Sequence, residues 1–243
     1  MLHHVIHGEG RPVLILHGAK LDHRHMVETF EPMFKAHPGW KRVYPDMPGH
    51  GLSPARAGIA SQLDLLNAVI DFATQALPGQ SFPIIGESRG SYIAQGFAYK
   101  RPELVDGLGL ITPGGSPTLP ADRLPAHQVL VPDKGLRSEL SKDELEGYDN
   151  LLVVQNRDIT EKRRRAILPP KDLHDKAQAE RVWAAFDYPF DLCAPEARFD
   201  KPSLMVCGRQ DSWSGYADAI DWLPTYPRAT LAVLDTAGHQ LVW

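Results

Sequence analysis

Ser88 stands in the stretch PIIGESRGSY (83–92), between Glu87 and Arg89 and flanked one residue further out by Gly86 and Gly90. An apolar run ends at Gly86, and helical sequence follows the serine. A strand that turns this tightly into a helix brings neighbouring backbone very close, so residues without a Cβ are wanted on both sides of the crest. The crest residue is strained with its Oγ exposed, and the helix behind it supplies unpaired N–H groups and a positive partial charge. Such a turn suits a serine that attacks a carbonyl and generates an oxyanion.

A serine nucleophile needs a base, and the chain has eleven histidines. His3, His4 and His7 alternate on a terminal strand, His37 precedes Pro38, and His127 and His174 fall in an irregular or charged region. His239 lies in TAGHQ, a small-residue loop after an apolar run, and is free to swing inward. The base in turn needs an orienting carboxylate at the carboxyl end of a nearby strand. Asp211 in VCGRQDSW meets that requirement, Asp46 in YPDMPGHG is its rival, and Asp235 stands too close in sequence to His239. The second oxyanion donor is expected in the loop after another strand, where His17, Gly18 and Ala19 follow PVLIL. The N–H of Ala19 would then join that of Arg89. Trp213 and Tyr216, just past Asp211, are candidates for lining a substrate pocket and equally for core.

These residues need a scaffold. Apolar runs at 2–7, RPVLIL, the stretch before YPD, SFPIIGES, VDGLGLI, SLMVCG and ATLAVLD read as strands, most of them buried. Between them, 22–36 has helical spacing with Met26, Phe30, Met33 and Phe34 on one face. Residues 60–77 repeat the pattern with Leu63, Leu66, Ile70 and Ala73, and 89–100 and 215–223 also read as helical. Alternating strands and helices predict an α/β fold, a mostly parallel doubly wound sheet. From 116 the chain becomes proline-dotted, then charged and helical to about 185; LLVVQ (151–155) reads as the inside of a helix. The expectation is a core of 1–115 and 199–243 with 116–198 inserted as a helical lid.

Together these motifs resemble the α/β-hydrolase superfamily. LHGAKLDHRH is similar to its oxyanion loop, YPDMPGHGLS to its D-x-P-G-x-G-x-S stretch, and IIGESRGSYIA to its nucleophile elbow. MVCGRQD resembles the acid turn and AGH the histidine turn, and the order Ser88, Asp211, His239 is the superfamily's. The resemblance implies a serine hydrolase acting on a small-molecule carboxylic ester. Carbon–carbon bond hydrolases, lactonases and proline-type aminopeptidases share the triad, although the aminopeptidase elbow usually reads G-G-S-W-G. A non-catalytic ligand-binding receptor on the same fold is the alternative of another class. The resemblance also makes Asp46 and His50 loop-ordering residues. Three features depart from the pattern. Arg89 is a cation where an aromatic, methionine, leucine or glutamine is more usual, and it could pair with Glu87 or with a substrate carboxylate. The chain starts at what looks like the family's second strand, and it stops four residues after His239, where a closing helix is usual.

Composition narrows the partners. A net charge of −4, with Arg163-Arg164-Arg165 as the one short basic run, gives no case for nucleic acid. No run reaches the ~18 apolar residues of a membrane span and the N-terminus has no leader pattern, which implies a cytoplasmic protein. Cys193 and Cys207 lack C-x-x-C spacing and read as reduced thiols. His23 and His25 offer H-x-H spacing beside Asp22, but on a helix they point about 200° apart, which is poor for one ion. No metal and no cofactor is expected. A homodimer is compatible with the sequence.

Overall fold

Residue alternation in one strand builds both layers of the molecule. In a computed structural model, which describes residues 1–114 and 123–243, β2 (Arg11–Leu16) sends Leu14 and Leu16 to one face and Val13 and Ile15 to the other. Leu14 and Leu16 join the larger core under α2 (Gln62–Ala76) and α3 (Arg89–Lys100). Val13 and Ile15 meet Met26 and Phe30 of α1 (His23–Lys35) in a second core. A strand buried on both sides must be apolar at every position, which is why RPVLIL shows no polar alternation.

The sheet has seven strands. β1 (His4–His7), β3 (Trp40–Pro45), β2, β4 (Phe82–Glu87), β5 (Val105–Ile111), β6 (Ser203–Gly208) and β7 (Ala229–Leu234) lie side by side in that order. Every pairing is parallel except β1 with β3. The chain leaves β2 towards β3 on one side, then returns to pair β4 on the other. Such a reversal leaves a crevice at the carboxyl ends of β2 and β4, where open α/β sheets bind ligands.

Between β5 and β6 the described chain forms α4 (Lys134–Arg137), α5 (Lys142–Asn150), α6 (Arg157–Ala166), α7 (Leu168–Lys171) and α8 (Lys176–Ala184). Residues 116–122 of the expected insertion lie outside the described residues. An aromatic stack ties this segment to α3. The ring centroid of Tyr92 lies 4.4 Å from that of Tyr188 and 4.8 Å from that of Phe186, and Tyr99 lies 4.3 Å from Phe190, all stacked with nearly parallel planes. Gln178 of α8 donates through Nε2 to Pro48 O at 2.6 Å and accepts from Arg56 N at 2.8 Å, which fastens α8 to the loop after β3.

Three expectations from periodicity are corrected. LLVVQ is not inside a helix: α5 ends at Asn150, and Val154 bridges Val131 in a short parallel pairing. The β-branched pair Val153-Val154 favours extended backbone, and Leu152 and Val153 are buried there. Met33 is 52% exposed, unlike Met26 and Phe30, so the buried face of α1 is narrower than its apolar spacing predicts. The helix expected over 215–223 is only α9 (Ala217–Asp221). Cys207 is buried in β6, Cys193 is exposed, and both are free. Among the described residues no helix is long and apolar enough to cross a membrane.

Candidate active site

Ser88 follows β4 and precedes α3, with φ 52° and ψ −118°, a conformation that costs a non-glycine residue energy. The glycines explain how the turn closes. A Cβ on Gly86 would overlap the Gly90 carbonyl, and one on Gly90 would overlap the Leu16 carbonyl of β2. Ser91 then locks the turn, its Oγ donating to Gly86 O at 2.6 Å and accepting from Ile111 N at 3.1 Å.

The three residues singled out in the sequence meet here. His239 Nε2 lies 3.0 Å from Ser88 Oγ, and His239 Nδ1 lies 3.0 Å from Asp211 Oδ2. Asp211 is fully buried, and its Oδ1 accepts from Trp213 N and Ser214 N, both at 2.9 Å. Those two donors fix the carboxylate with Oδ2 the nearer of its oxygens to the ring, Oδ1 standing 3.2 Å from Nδ1. Burial would lower the His239 imidazole, but the charge and hydrogen bond of Asp211 outweigh it, with a smaller push from Glu87, and hold the group above its ordinary value. Ser214 was not singled out in the sequence. Its Oγ lies 3.3 Å from His239 Nδ1, and a small hydroxyl three residues after the acid was the available signal.

Asp46 lies elsewhere. Its two oxygens accept from His3 Nδ1, His23 Nδ1 and His23 N, each at 2.8 Å, and from Leu52 N at 3.0 Å. It orders the loop after β3. His3, His23 and Asp46 are also the three side chains that could share a metal ion among the described residues, but their mutual hydrogen bonds already satisfy them. His23 and His25 diverge as helical spacing requires: His25 Nδ1 turns inward to 2.9 Å from Glu87 Oε2. That contact is off the hydrogen-bond direction, since neither atom gains a bonding partner.

Ala19 lies in the loop after β2, half-buried, next to Gly18, whose added Cβ would stand 3.4 Å from Glu87 Oε2. His17 pins this loop. Its Nδ1 donates to Gly18 O at 2.7 Å and its Nε2 accepts from Met47 N at 3.0 Å, while burial pulls the imidazole down to about 4 and keeps it neutral. Arg89 is the first residue of α3, so its N–H has no carbonyl within the helix to bond. Two candidate oxyanion donors therefore flank the serine from adjacent strand ends.

Residues 11–145 match the family described as alpha/beta hydrolase fold. The chain belongs to that family. Over its whole length this α/β hydrolase is 27% identical to the 2-hydroxy-6-oxononadienedioate/2-hydroxy-6-oxononatrienedioate hydrolase 2 of Pseudomonas putida, covering 86% of that protein. Its fold is similar to the alpha/beta superfamily hydrolase from Oenococcus oeni PSU-1, with TM-score 0.85, 22% identity and 98% and 88% of the two chains covered. It is also similar to a thermophilic esterase from Thermogutta terrifontis, with TM-score 0.65, 21% identity and 98% and 86% covered.

The other expected site residues divide. Trp213 is 60% exposed with its ring 5.5 Å from that of His239. Tyr216 packs against the main core instead. Arg89 is buried and pairs with neither Glu87 nor any other carboxylate among the described residues.

Proposed function

We propose that this α/β hydrolase is a serine hydrolase that cleaves a small-molecule carboxylic ester through an acyl-enzyme. With its proton on Nδ1, His239 donates to Asp211 and keeps the Nε2 lone pair for the Ser88 hydroxyl. Ser88 Oγ attacks the substrate carbonyl carbon as His239 takes the proton. The tetrahedral oxygen is held by the N–H groups of Ala19 and Arg89, each worth about 3 kcal/mol when aligned. His239 then gives the proton to the leaving alcohol, and water, activated by the same ring, releases the acid and regenerates Ser88. The segment from α4 to α8 acts as the lid over this site, and Trp213 lines its entrance.

The observation that carries the reading is the unbroken chain from Asp211 Oδ2 through His239 to a strained Ser88, both links 3.0 Å long. Turnover of 4-nitrophenyl esters tests it. Ser88→Ala and His239→Ala should each lose nearly all activity, and either variant retaining wild-type rates defeats the proposal. A second reading, carbon–carbon bond hydrolysis on the same residues, is favoured by the full-length similarity to the Pseudomonas putida hydrolase. Offering 2-hydroxy-6-oxononadienedioate beside the esters separates the two.

A further inference from the structure

We infer that Arg89 is an anion anchor built into the nucleophile turn, and that the substrate carries a carboxylate within a few atoms of the carbonyl that Ser88 attacks. This rests on the hydrolase reading above and names the substrate class it takes.

Arg89 is only 6% exposed, and its Nε is buried without a hydrogen-bond partner. The adjacent Glu87 faces His25 and does not neutralise Arg89. Among the described residues, the ionisable groups beside the guanidinium carry no negative charge. Burial pushes the Tyr188 phenol well up, so it stays protonated. Burial also pulls His50 down to about 3, with His17 and Arg89 adding to the effect, so it stays neutral. The ring of Trp183 lies 5.9 Å from the guanidinium carbon. A cation–π contact offsets only part of the hydration a buried guanidinium loses and leaves its N–H groups without an oxygen acceptor. A buried, uncompensated ion costs several kcal/mol. Burial lowers Arg89 only to about 10, so it stays a cation at neutral pH.

Other polar atoms nearby are also unsatisfied. The Nε2 of His50 is buried without a partner, and the buried Gln62 amide has only the Tyr188 hydroxyl beside it. The group is assembled from the loop after β3, the start of α2, α3 and the α8 segment, and it faces the inserted helices. Arg89 follows Ser88 directly, with Cα atoms ~3.8 Å apart, so a substrate no longer than the arginine side chain reaches from the Ser88 hydroxyl to the guanidinium. A planar guanidinium with a single charge matches a carboxylate in both fork geometry and charge. A phosphate dianion would be left half neutralised.

The test compares mono-4-nitrophenyl glutarate with 4-nitrophenyl pentanoate, as a ratio of kcat/KM within each protein, so that any change at the oxyanion donors cancels. The wild type should favour the carboxylated ester by about tenfold or more, since a charge-assisted pair contributes about 1.5–3 kcal/mol. Arg89→Met should bring the ratio to about one, mainly through KM, and Arg89→Lys should restore part of it. An unchanged ratio in Arg89→Met overturns the inference. Glutarate binding by calorimetry to Ser88→Ala, with and without Arg89→Met, reads the anchor without turnover. The double variant should bind about tenfold more weakly or worse, and equal affinity overturns the inference. If neither ester is hydrolysed, the hydrolase reading fails and glutarate binding alone decides the role of Arg89. Without ligand, Arg89→Met should melt at or above the wild-type temperature. Melting well below it would mean an internal partner and would also overturn the inference.

Discussion

Asp211→Asn changes almost no volume, yet the geometry predicts a severe loss. Asp211 Oδ1 accepts from two backbone donors, Trp213 N and Ser214 N, and stands further from His239 Nδ1, at 3.2 Å, than Oδ2 does. An asparagine keeps its carbonyl oxygen on that side, because turning the amide round would set N–H against N–H. Its NH2 then faces His239 Nδ1 in place of Oδ2, which now lies 3.0 Å away. The ring can accept that bond only by moving its proton to Nε2, where it points at Ser88 Oγ and removes the base. The same tautomer error in serine proteases costs about 10⁴ in kcat, or about 5.5 kcal/mol. Initial rates on a 4-nitrophenyl ester should fall by about that factor, with KM little changed. Asp211→Ala should be no worse, since the ring is then free to keep its proton on Nδ1 and Ser214 Oγ, 3.3 Å away, can accept it. The pH profile carries a second signature. The base must be neutral, and Asp211 holds His239 above its ordinary 6.5, so the acid limb of kcat/KM should fall above that value in the wild type. Activity is lost as pH drops through the limb, and the limb should move down when the charge of Asp211 is removed. Asp211→Asn retaining more than about a tenth of wild-type kcat/KM would refute the tautomer argument, and so would an Asp46→Asn variant with the larger loss.

Gly90→Ala should abolish activity and cost about 3 kcal/mol or more by urea unfolding, because its Cβ would meet the Leu16 carbonyl, backbone that cannot move aside. Asp46→Ala should instead spare the chemistry and cost about 3 kcal/mol of stability at neutral pH, since four donors share that buried carboxylate. Burial alone would raise Asp46; bonds from the His23 ring and from the N–H groups of Leu52 and His23 overcome this and hold it well below its ordinary 3.8. A depressed carboxylate stabilises above its unfolded value and loses that contribution as pH falls below about 4. Unfolding curves from pH 7 to 3 should therefore be flatter in the variant than in the wild type.

The turns were easier to read in the sequence than the packing was. Gly86 and Gly90 announce the elbow because the overlap they avoid is local, between residues four apart or against the adjoining strand. Apolar runs such as RPVLIL announce buried parallel strands for the same reason. The choice of Asp211 over Asp46 was open from residue type alone, because both follow a strand and a turn. Long-range contacts separate them: His239 reaches Asp211, while His3 and His23 close around Asp46. The partner of Arg89 was equally open. Helical spacing tells that His25 points away from His23, but not that it faces Glu87, which leaves Arg89 without a counter-charge. Val153-Val154 misled because charged helices flank it, and flanking sequence says nothing about the long-range pairing with Val131.

Covalent labelling reads the central claim most directly. The folded protein is treated with a fluorophosphonate, digested, and searched by mass for the modified residue. The account predicts one stoichiometric adduct on Ser88, formed faster as pH rises through the titration of His239 and nearly absent in His239→Ala. A folded sample that forms no adduct on Ser88, or labels equally in His239→Ala, would contradict it.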